Sequence, residues 1–139
     1  MIRSATLNDL DQIYDIYNQR YSSNDSSQIK YTRSDWEWYL GNGFAIIFVK
    51  EINSEIVGVA FAYNMGIWGY LEHIFISIPH RGNKYARELI DHTFNFGKSI
   101  GWRIFESCYY DEIQEMKEFF HSIGWNDGGI NTRWVYNEK

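Results

Sequence analysis

One continuous stretch of the chain, residues 71–90 with the sequence LEHIFISIPHRGNKYARELI, constrains the fold more than any other. It opens with an apolar segment rich in isoleucine and phenylalanine, which is typical of a buried strand, and this pattern ends at Pro79. A basic Arg-Gly-Asn-Lys loop follows, and apolar residues at helical spacing begin directly after it. The fold must therefore bring the end of a buried strand and the start of a helix together across this loop.

The same junction suits a bound phosphate group. The first turn of a helix leaves backbone N–H groups unpaired and carries the positive end of the helix dipole. Gly82 permits a close approach to the backbone, and Arg81 and Lys84 add positive charge. The phosphate motifs G-x-x-x-x-G-K-[ST] and G-x-G-x-x-G are both missing from the sequence. On the residues alone, an anion site and a solvated helix start that binds nothing are both open.

The rest of the chain predicts an α/β (α+β) domain with the element order β-α-α-β-β-β-α-β-α-β. Thr6 with Asp9 and Ser34 with Glu37 are capping patterns that predict two helix starts, and a polar turn at 53–54 predicts a hairpin. Hairpin-linked strands followed by helix-linked strands predict a mixed, mostly antiparallel central sheet with helices on both faces. The predicted strands are 1–5, 44–50, 56–63, 70–78, 103–109 and 130–136, and the predicted helices are 7–19, 34–40, 86–100 and 111–124.

Size and composition limit what this domain can bind. The chain has 139 residues, 45% of them hydrophobic, which suits one core and a single domain over residues 1–139. The formal net charge of −5 argues against nucleic acid and anionic membranes, since both are bound by clustered Lys and Arg. Cys108 is the only cysteine, which excludes an internal disulfide and favours a reducing compartment. With neither a secretory pattern nor an apolar run of ~18 residues, we expect a soluble cytoplasmic protein.

The element order, with a basic loop after the fourth strand, resembles the GNAT superfamily of N-acetyltransferases. The coenzyme A motif of that family is Q/R-x-x-G-x-G/A, five residues after a Val or Ile. Here Ile76 precedes RGNKYA, and Lys84 replaces the middle glycine of the motif. The resemblance implies that the loop amides bind the pyrophosphate of acetyl-CoA and that the strand edge binds its pantetheine arm. The cofactor-binding residues implied in this way are Ile74, Phe75, Ile76, Arg81, Gly82, Asn83, Lys84, Tyr85, Ala86 and Arg87.

Both ends of the chain support the resemblance. The start, MIRSATLNDLDQIYDIYNQ, is similar to the phosphinothricin-acetyltransferase-like branch of the family. Near the C-terminus, FFHSIGW resembles the F-Y-x-x-x-G-F ending of the last major helix in the family. Dimers are common among similar proteins, so a homodimer and a monomer are both kept open.

Amine acetylation requires a base for the amine proton and an acid for the leaving thiolate. Many family members place a tyrosine acid four residues before the final helix glycine, but here that position is Phe120. Tyr109 and Tyr110 are the nearest substitutes by chain position, with packed aromatics as the alternative. Glu106 is the first candidate for the base because it interrupts an apolar strand, and Glu72 on the preceding strand is the second. Either carboxylate could instead be a charge at a strand edge.

The acceptor and the final assignment stay open. The family's acceptor groove lies between the first two helices and the last loop, which suggests Tyr21, Tyr31 and Trp36 as substrate-binding residues, beside the polar loop 22–28. The histidines lack metal-ligand spacing, so no metal site is predicted. The favoured function is direct acetyl transfer from acetyl-CoA to an amine of a small molecule or a protein. The alternatives are a coenzyme A-binding module without catalysis and an unrelated α/β interaction domain.

Overall fold

The computed structural model describes residues 1–20, 30–108, 114–127 and 133–137. The predicted element order is confirmed, with one additional two-residue strand before the last. None of the helices in these described ranges is long and apolar enough to cross a bilayer. The elements are β1 (Ile2–Ser4), α1 (Leu10–Arg20), α2 (Arg33–Asn42), β2 (Ala45–Ile52), β3 (Glu55–Asn64), β4 (Trp68–Ile76), α3 (Tyr85–Ser99), β5 (Ile104–Cys108), α4 (Gln114–Ser122), β6 (Asn126–Asp127) and β7 (Arg133–Asn137).

The strands form one mixed sheet in the order β1-β2-β3-β4-β5-β7-β6. All neighbours are antiparallel except β4 and β5, which run parallel because α3 connects them. The predicted hairpin joins β2 to β3, and Asn53 and Ser54 at its turn have φ angles of 51° and 66°. The prediction of a mixed, mostly antiparallel sheet is therefore confirmed.

The two predicted helix starts have different outcomes. At the first, the Asp9 carboxylate accepts from the Thr6 amide at 2.8 Å, and a 3-10 turn over Leu7–Asp9 leads into α1. The second prediction, Ser34 with Glu37, is wrong. The Thr32 amide donates to the Asp35 carboxylate at 2.7 Å and the Asp35 amide donates to the Thr32 hydroxyl at 3.2 Å. Because this earlier pair satisfies the first-turn groups, α2 begins at Arg33.

Helices cover both faces of the sheet, as predicted, and each face has its own core. Helix α1 and helix α2 pack on one face through Ile13, Tyr17 and Trp36, which contact aromatic residues of β3 and β4. We call this side the α1–α2 face. Helix α3 packs on the opposite face, called the α3 face, where Leu89 and Phe94 meet the sheet. Both cores are rich in aromatic rings, with tyrosine, tryptophan and phenylalanine on the α1–α2 face and phenylalanine and tryptophan on the α3 face.

β4 extends beyond its pairing with β5. The pairing of β4 with β5 runs from Trp68 to Leu71, and at its end the Ser107 hydroxyl donates to the Leu71 carbonyl at 2.9 Å. β4 nevertheless continues to Ile76, so the edge over residues 72–76 faces away from the paired part of β5. The register with β3 also shifts here. Phe61 of β3 lies opposite His73, whereas the next residue, Ala62, lies opposite Leu71. Glu72 is therefore the extra residue of a β-bulge, at the point where the two parallel strands separate.

Candidate active site

The loop after β4 is held by its own side chains. The Arg81 guanidinium donates through Nε to the Ile76 carbonyl at 3.1 Å, which ties the start of the loop back to the strand end. The Asn83 side-chain amide donates to the His80 carbonyl at 3.0 Å. These contacts span only three to five residues, so the local sequence is sufficient to fix the loop conformation.

This loop leads directly into the first turn of α3. Gly82 and Lys84 both have left-handed φ angles, of 84° and 64°. The first hydrogen bond of α3 runs from the Glu88 amide to the Lys84 carbonyl at 3.1 Å, so the amides of 84–87 precede the hydrogen-bond ladder of the helix. A Cβ added to Gly82 would meet no described atom within 4 Å, which leaves room for a ligand against the backbone. Lys84 holds the left-handed conformation without being a glycine, at a cost of about 1 kcal/mol.

A cavity of about 750 Å³ lies against this loop. That volume falls within the roughly 300–1,000 Å³ range of small-molecule sites. The structure places all the predicted cofactor-binding residues except Asn83 along its wall; Asn83 instead bonds to His80. Sequence reasoning missed the rest of the lining, which comes from the end of α1, the turn after β4 and the far end of α4. These additional lining residues are Gln19, His80, Phe119, Phe120, Ser122 and Ile123.

The cavity wall is positively charged. Arg81, Lys84 and Arg87 all line it. The one acidic residue in the first turn of α3, Glu88, is bound by Lys50 at 2.9 Å, which offsets its charge. Within the described part of the chain, the Lys84 ammonium has no carboxylate within 4 Å. A ligand with phosphate groups therefore matches the charge of this wall and the helix start beside it.

Phe120 occupies the position where a tyrosine was expected. It lies on the cavity wall, is only 1% exposed, and packs on Trp125 with ring centroids 4.9 Å apart. The side chain at this position therefore brings no hydroxyl to the cavity. His121, the next residue, is exposed and is not part of the cavity lining, because one step along a helix turns the side chain by about 100°.

Glu72 is a carboxylate in an unusual position. Its side chain is half-buried at the bulge of β4. Burial raises its pKa above the usual range for glutamate, and a hydrogen bond from the Tyr31 hydroxyl partly opposes that shift. A carboxyl group with a raised pKa is suited to exchanging protons closer to neutral pH than an exposed one.

Tyr31 connects Glu72 to two further tyrosines. The hydroxyls of Tyr31 and Tyr63 lie 2.8 Å apart, and the Tyr63 hydroxyl donates to that of Tyr39 at 3.0 Å. Burial raises the pKa of Tyr31 and of Tyr63, so both stay protonated throughout the neutral range. Tyr63 and Tyr39 were not predicted as site residues, because they lie on other elements and share no motif with Glu72.

The other predicted residues lie in different surroundings. Glu106 is half-buried within the continuous sheet, between Tyr70 of β4 and Val135 of β7. Trp36 is fully buried in the core of the α1–α2 face, so it supports Tyr31 from behind. Tyr21, the loop 22–28, Tyr109 and Tyr110 lie outside the described residues.

Comparison with known proteins agrees with this geometry. The bulged strand and the basic loop at a helix start meet at one cavity, whose charge suits a ligand that carries phosphate groups. The model of the acetyltransferase (GNAT) family matches residues 10–126, and the chain belongs to that family.

A curated relative and several solved structures are similar to this chain over nearly its whole length. An uncharacterized N-acetyltransferase of Methanocaldococcus jannaschii is 26% identical over an alignment 147 positions long. The alignment covers 96% of this chain and 64% of that relative. The chain thus spans just under two thirds of that relative's length. The crystal structure of an N-acetyltransferase from Staphylococcus aureus Mu50 has a TM-score of 0.83 at 17% identity, covering 99% of this chain and 97% of that one.

Two similar structures contain a cofactor. The PaiA N-acetyltransferase of Thermoplasma acidophilum in complex with coenzyme A has a TM-score of 0.86 at 12% identity, covering 99% of this chain and 98% of that one. The acetyltransferase YncA of Salmonella typhimurium, described as putative and solved with acetyl-CoA, has a TM-score of 0.79 at 16% identity, covering 99% and 92%. At these identities the likeness shows a shared fold.

Proposed function

We propose that this chain is an N-acetyltransferase that moves an acetyl group from acetyl-CoA to a primary amine of a small molecule or protein. The observation that carries the proposal is the cavity of about 750 Å³ in which the open edge of β4, the basic loop and the start of α3 meet. Within the family, similarity of the N-terminal segment supports a place near the phosphinothricin-acetyltransferase-like branch.

The residues around the cavity fit acetyl-CoA. The amides of 84–87 and the open backbone at Gly82 would bind its pyrophosphate, with Arg81, Lys84 and Arg87 offsetting the negative charge. The edge of β4 over 74–76 lies beyond the pairing of that strand with β5 and lines the cavity, so the pantetheine arm would lie along it as an added strand does. When bound, the cofactor supplies an acetyl group activated as a thioester.

We assign the role of base to Glu72. An acceptor amine is an ammonium ion at neutral pH and must lose a proton before it can react. Glu72 lies at the bulge where β4 separates from β5, two residues before Ile74, the first residue of that strand to line the cavity, and its raised pKa suits proton uptake. Glu106, held in the paired part of the sheet, is the alternative base, and Tyr110 is our candidate for the acid that protonates the leaving thiolate.

The acceptor is expected on the α1–α2 face. Tyr31 is half-buried beside Glu72, and Tyr21 is a further candidate for the wall of this groove. The net charge of −5 and the Glu72 carboxylate on this side of the sheet favour an acceptor that approaches as a cation. A small amine and a lysine or N-terminus of a protein both meet this description.

Two measurements in sequence test the proposal. Calorimetric titration with acetyl-CoA should show binding, and thiol release should then rise with at least one amine among spermidine, phenethylamine, lysine methyl ester and a short peptide with a free N-terminus. The absence of acetyl-CoA binding would reject the function. Binding of acetyl-CoA with no thiol release in the presence of any of these amines would favour a coenzyme A-binding module. This is the second candidate function, and the lack of a hydroxyl at Phe120 supports it.

A further inference from the structure

A serine and a histidine of the turn after β4 form a hydrogen-bonded pair beside the cavity. The Ser77 hydroxyl oxygen lies 2.8 Å from Nδ1 of His80, across the 3-10 turn Ile78–His80. Ser77 is only 6% exposed, whereas His80 is partly exposed and lines the cavity. Both residues precede the RGNKYA segment, so the coenzyme A motif of the family assigns no role to either side chain.

Burial of the Ser77 hydroxyl determines the direction of this hydrogen bond. A buried hydroxyl proton needs an acceptor, and within the described part of the chain the one hydrogen-bond partner of the Ser77 side chain is His80 Nδ1. Ser77 therefore donates and Nδ1 accepts, which leaves the proton of the neutral imidazole on Nε2. Among the described residues, His80 Nε2 has no hydrogen-bond partner. The polar group that this ring offers to a ligand in the cavity is therefore an N–H donor.

The turn that carries this pair is held by the sheet on one side and by α1 on the other. The Ser77 amide donates to the Val57 carbonyl of β3 at 2.8 Å. The Ile78 amide donates to the side-chain oxygen of Gln19, near the end of α1, at 3.3 Å. With the turn tied to two elements and the ring tied to Ser77, His80 loses little conformational freedom when a ligand binds, so its donor is preorganised.

The position of His80 along the chain indicates which part of the cofactor it meets. The strand edge proposed to bind the pantetheine arm ends at Ile76, four residues before His80. Arg81, the next residue, begins the loop and helix start proposed to bind the pyrophosphate. Building on the proposed function, we propose that His80, oriented by Ser77, donates a hydrogen bond from Nε2–H to a pyrophosphate oxygen of acetyl-CoA. His80 is then a further cofactor-binding residue, and Ser77 is the residue that positions it.

The test compares ligands with and without phosphate groups. Calorimetry should show that His80→Leu raises the Kd of coenzyme A by about tenfold, and that of dephospho-CoA, which keeps the pyrophosphate, by the same factor. Displacement titration should give an unchanged Kd for pantetheine, which has no phosphate. His80→Gln can donate from nearly the position of Nε2 and should lose no more than about threefold. Ser77→Ala frees the ring to rotate and should cost about threefold with the two phosphate ligands and nothing with pantetheine.

His92→Leu is the matched control, because His92 is exposed on α3, packs on the Phe48 ring with centroids 4.5 Å apart, and is not part of the cavity lining. It should keep the affinity of the unmodified protein for all three ligands. Unchanged affinity in His80→Leu, or a loss as large with pantetheine as with coenzyme A, would overturn the proposal. So would equal losses in His80→Leu and His80→Gln, or a loss with coenzyme A that dephospho-CoA does not show.

A second measurement needs no variant. A long-range proton–nitrogen NMR spectrum of the unmodified protein, recorded where the His80 ring is neutral, should show the proton on Nε2, and the signal of that nitrogen should move when coenzyme A is added. A neutral ring protonated on Nδ1 would overturn the proposal. If the unmodified protein does not bind acetyl-CoA, the proposed function fails and this inference fails with it. Binding without acetylation counts against the proposed function alone, because every readout of His80 is a binding measurement.

Discussion

The two halves of the candidate site are built in different ways. The cofactor half, residues 81–87 with the strand before them, is continuous in sequence and combines backbone amides at a helix start with basic side chains. The base half, Glu72 with Tyr31, Tyr63 and Tyr39, presents side chains from separate elements. A site made of backbone amides tolerates changes of side chain but depends on φ angles and helix position. A site made of side chains depends on each hydroxyl and carboxylate, so the two halves should respond to different substitutions.

The largest expected effect tests how far the cofactor half depends on the position of α3. Trp102 lies between Gly97 of α3 and Gly69 of β4, and a Cβ added to Gly97 would come within 1.8 Å of its ring. We expect Gly97→Ala to lower the free energy of unfolding by about 3 kcal/mol, because Trp102 and α3 must move apart. Urea denaturation followed by tryptophan fluorescence measures this.

Gly41→Ala in α2 is the control for that substitution. A Cβ at Gly41 meets nothing within 4 Å, so alanine should be neutral or should stabilise the protein by up to about 1 kcal/mol. An equal loss of unfolding free energy in the two variants would show that the contact of Gly97 with Trp102 does not fix the position of α3.

The second effect concerns the base half. Glu72→Gln keeps the shape of the side chain but removes proton uptake, so we expect kcat to fall by about 100-fold with acetyl-CoA affinity unchanged. Glu106→Gln on the neighbouring strand is the matched control and should retain nearly full activity. The reverse result, a loss only in the Glu106 variant, would move the base to β5.

The pH dependence of Glu72 has a definite sign. Activity requires the carboxylate, and because burial raises its pKa, kcat should fall at a higher pH than for an exposed glutamate as the solution is acidified. The folded-state pKa lies above the unfolded one, so the stability linked to this group is present at low pH and is lost as pH rises through the folded-state pKa. Glu72→Gln lacks that loss and should therefore unfold at a higher temperature than the unmodified protein at neutral pH.

The same contrast explains what the sequence could predict. Residues 74–87 form a strand, a loop and a helix start in sequence order, so most of this part of the lining could be predicted from the chain alone. Asn83 was predicted but does not line the cavity, and the lining residues of α1 and α4 were missed because only packing brings those helices to the loop. The bulge at Glu72 is a matter of register between β3 and β4, and no residue type near it indicates an insertion. Tyr63 and Tyr39 meet Tyr31 only once α2 and β3 have packed. The capping pattern likewise predicted only Ser34 with Glu37 at the start of α2, whereas in the structure Thr32 and Asp35 make the capping hydrogen bonds.

A third effect isolates the backbone contribution of the cofactor half. Gly82 and Gly66 have nearly equal φ angles, 84° and 85°, and open space where a Cβ would be, but only Gly82 lines the cavity. At either position, an alanine held in the left-handed conformation should lower the free energy of unfolding by about 1 kcal/mol. Calorimetry should show that Gly82→Ala also weakens acetyl-CoA binding by about tenfold, since the new methyl group enters the ligand's space. An equal affinity in the two variants would place the phosphates elsewhere.

The smallest effect concerns Lys84, where the chain departs from the family motif. A lysine in a left-handed conformation at φ 64° is strained, so Lys84→Gly should stabilise the protein by about 1 kcal/mol. Its charge lines the cavity, so the same substitution should weaken acetyl-CoA binding by about threefold and reduce the salt dependence of binding. Ser54→Gly, at φ 66° in the hairpin turn, relieves a similar strain away from the cavity and should gain stability with unchanged affinity. Tighter binding by Lys84→Gly would mean that this position acts through its backbone and that the lysine charge does not contribute to binding.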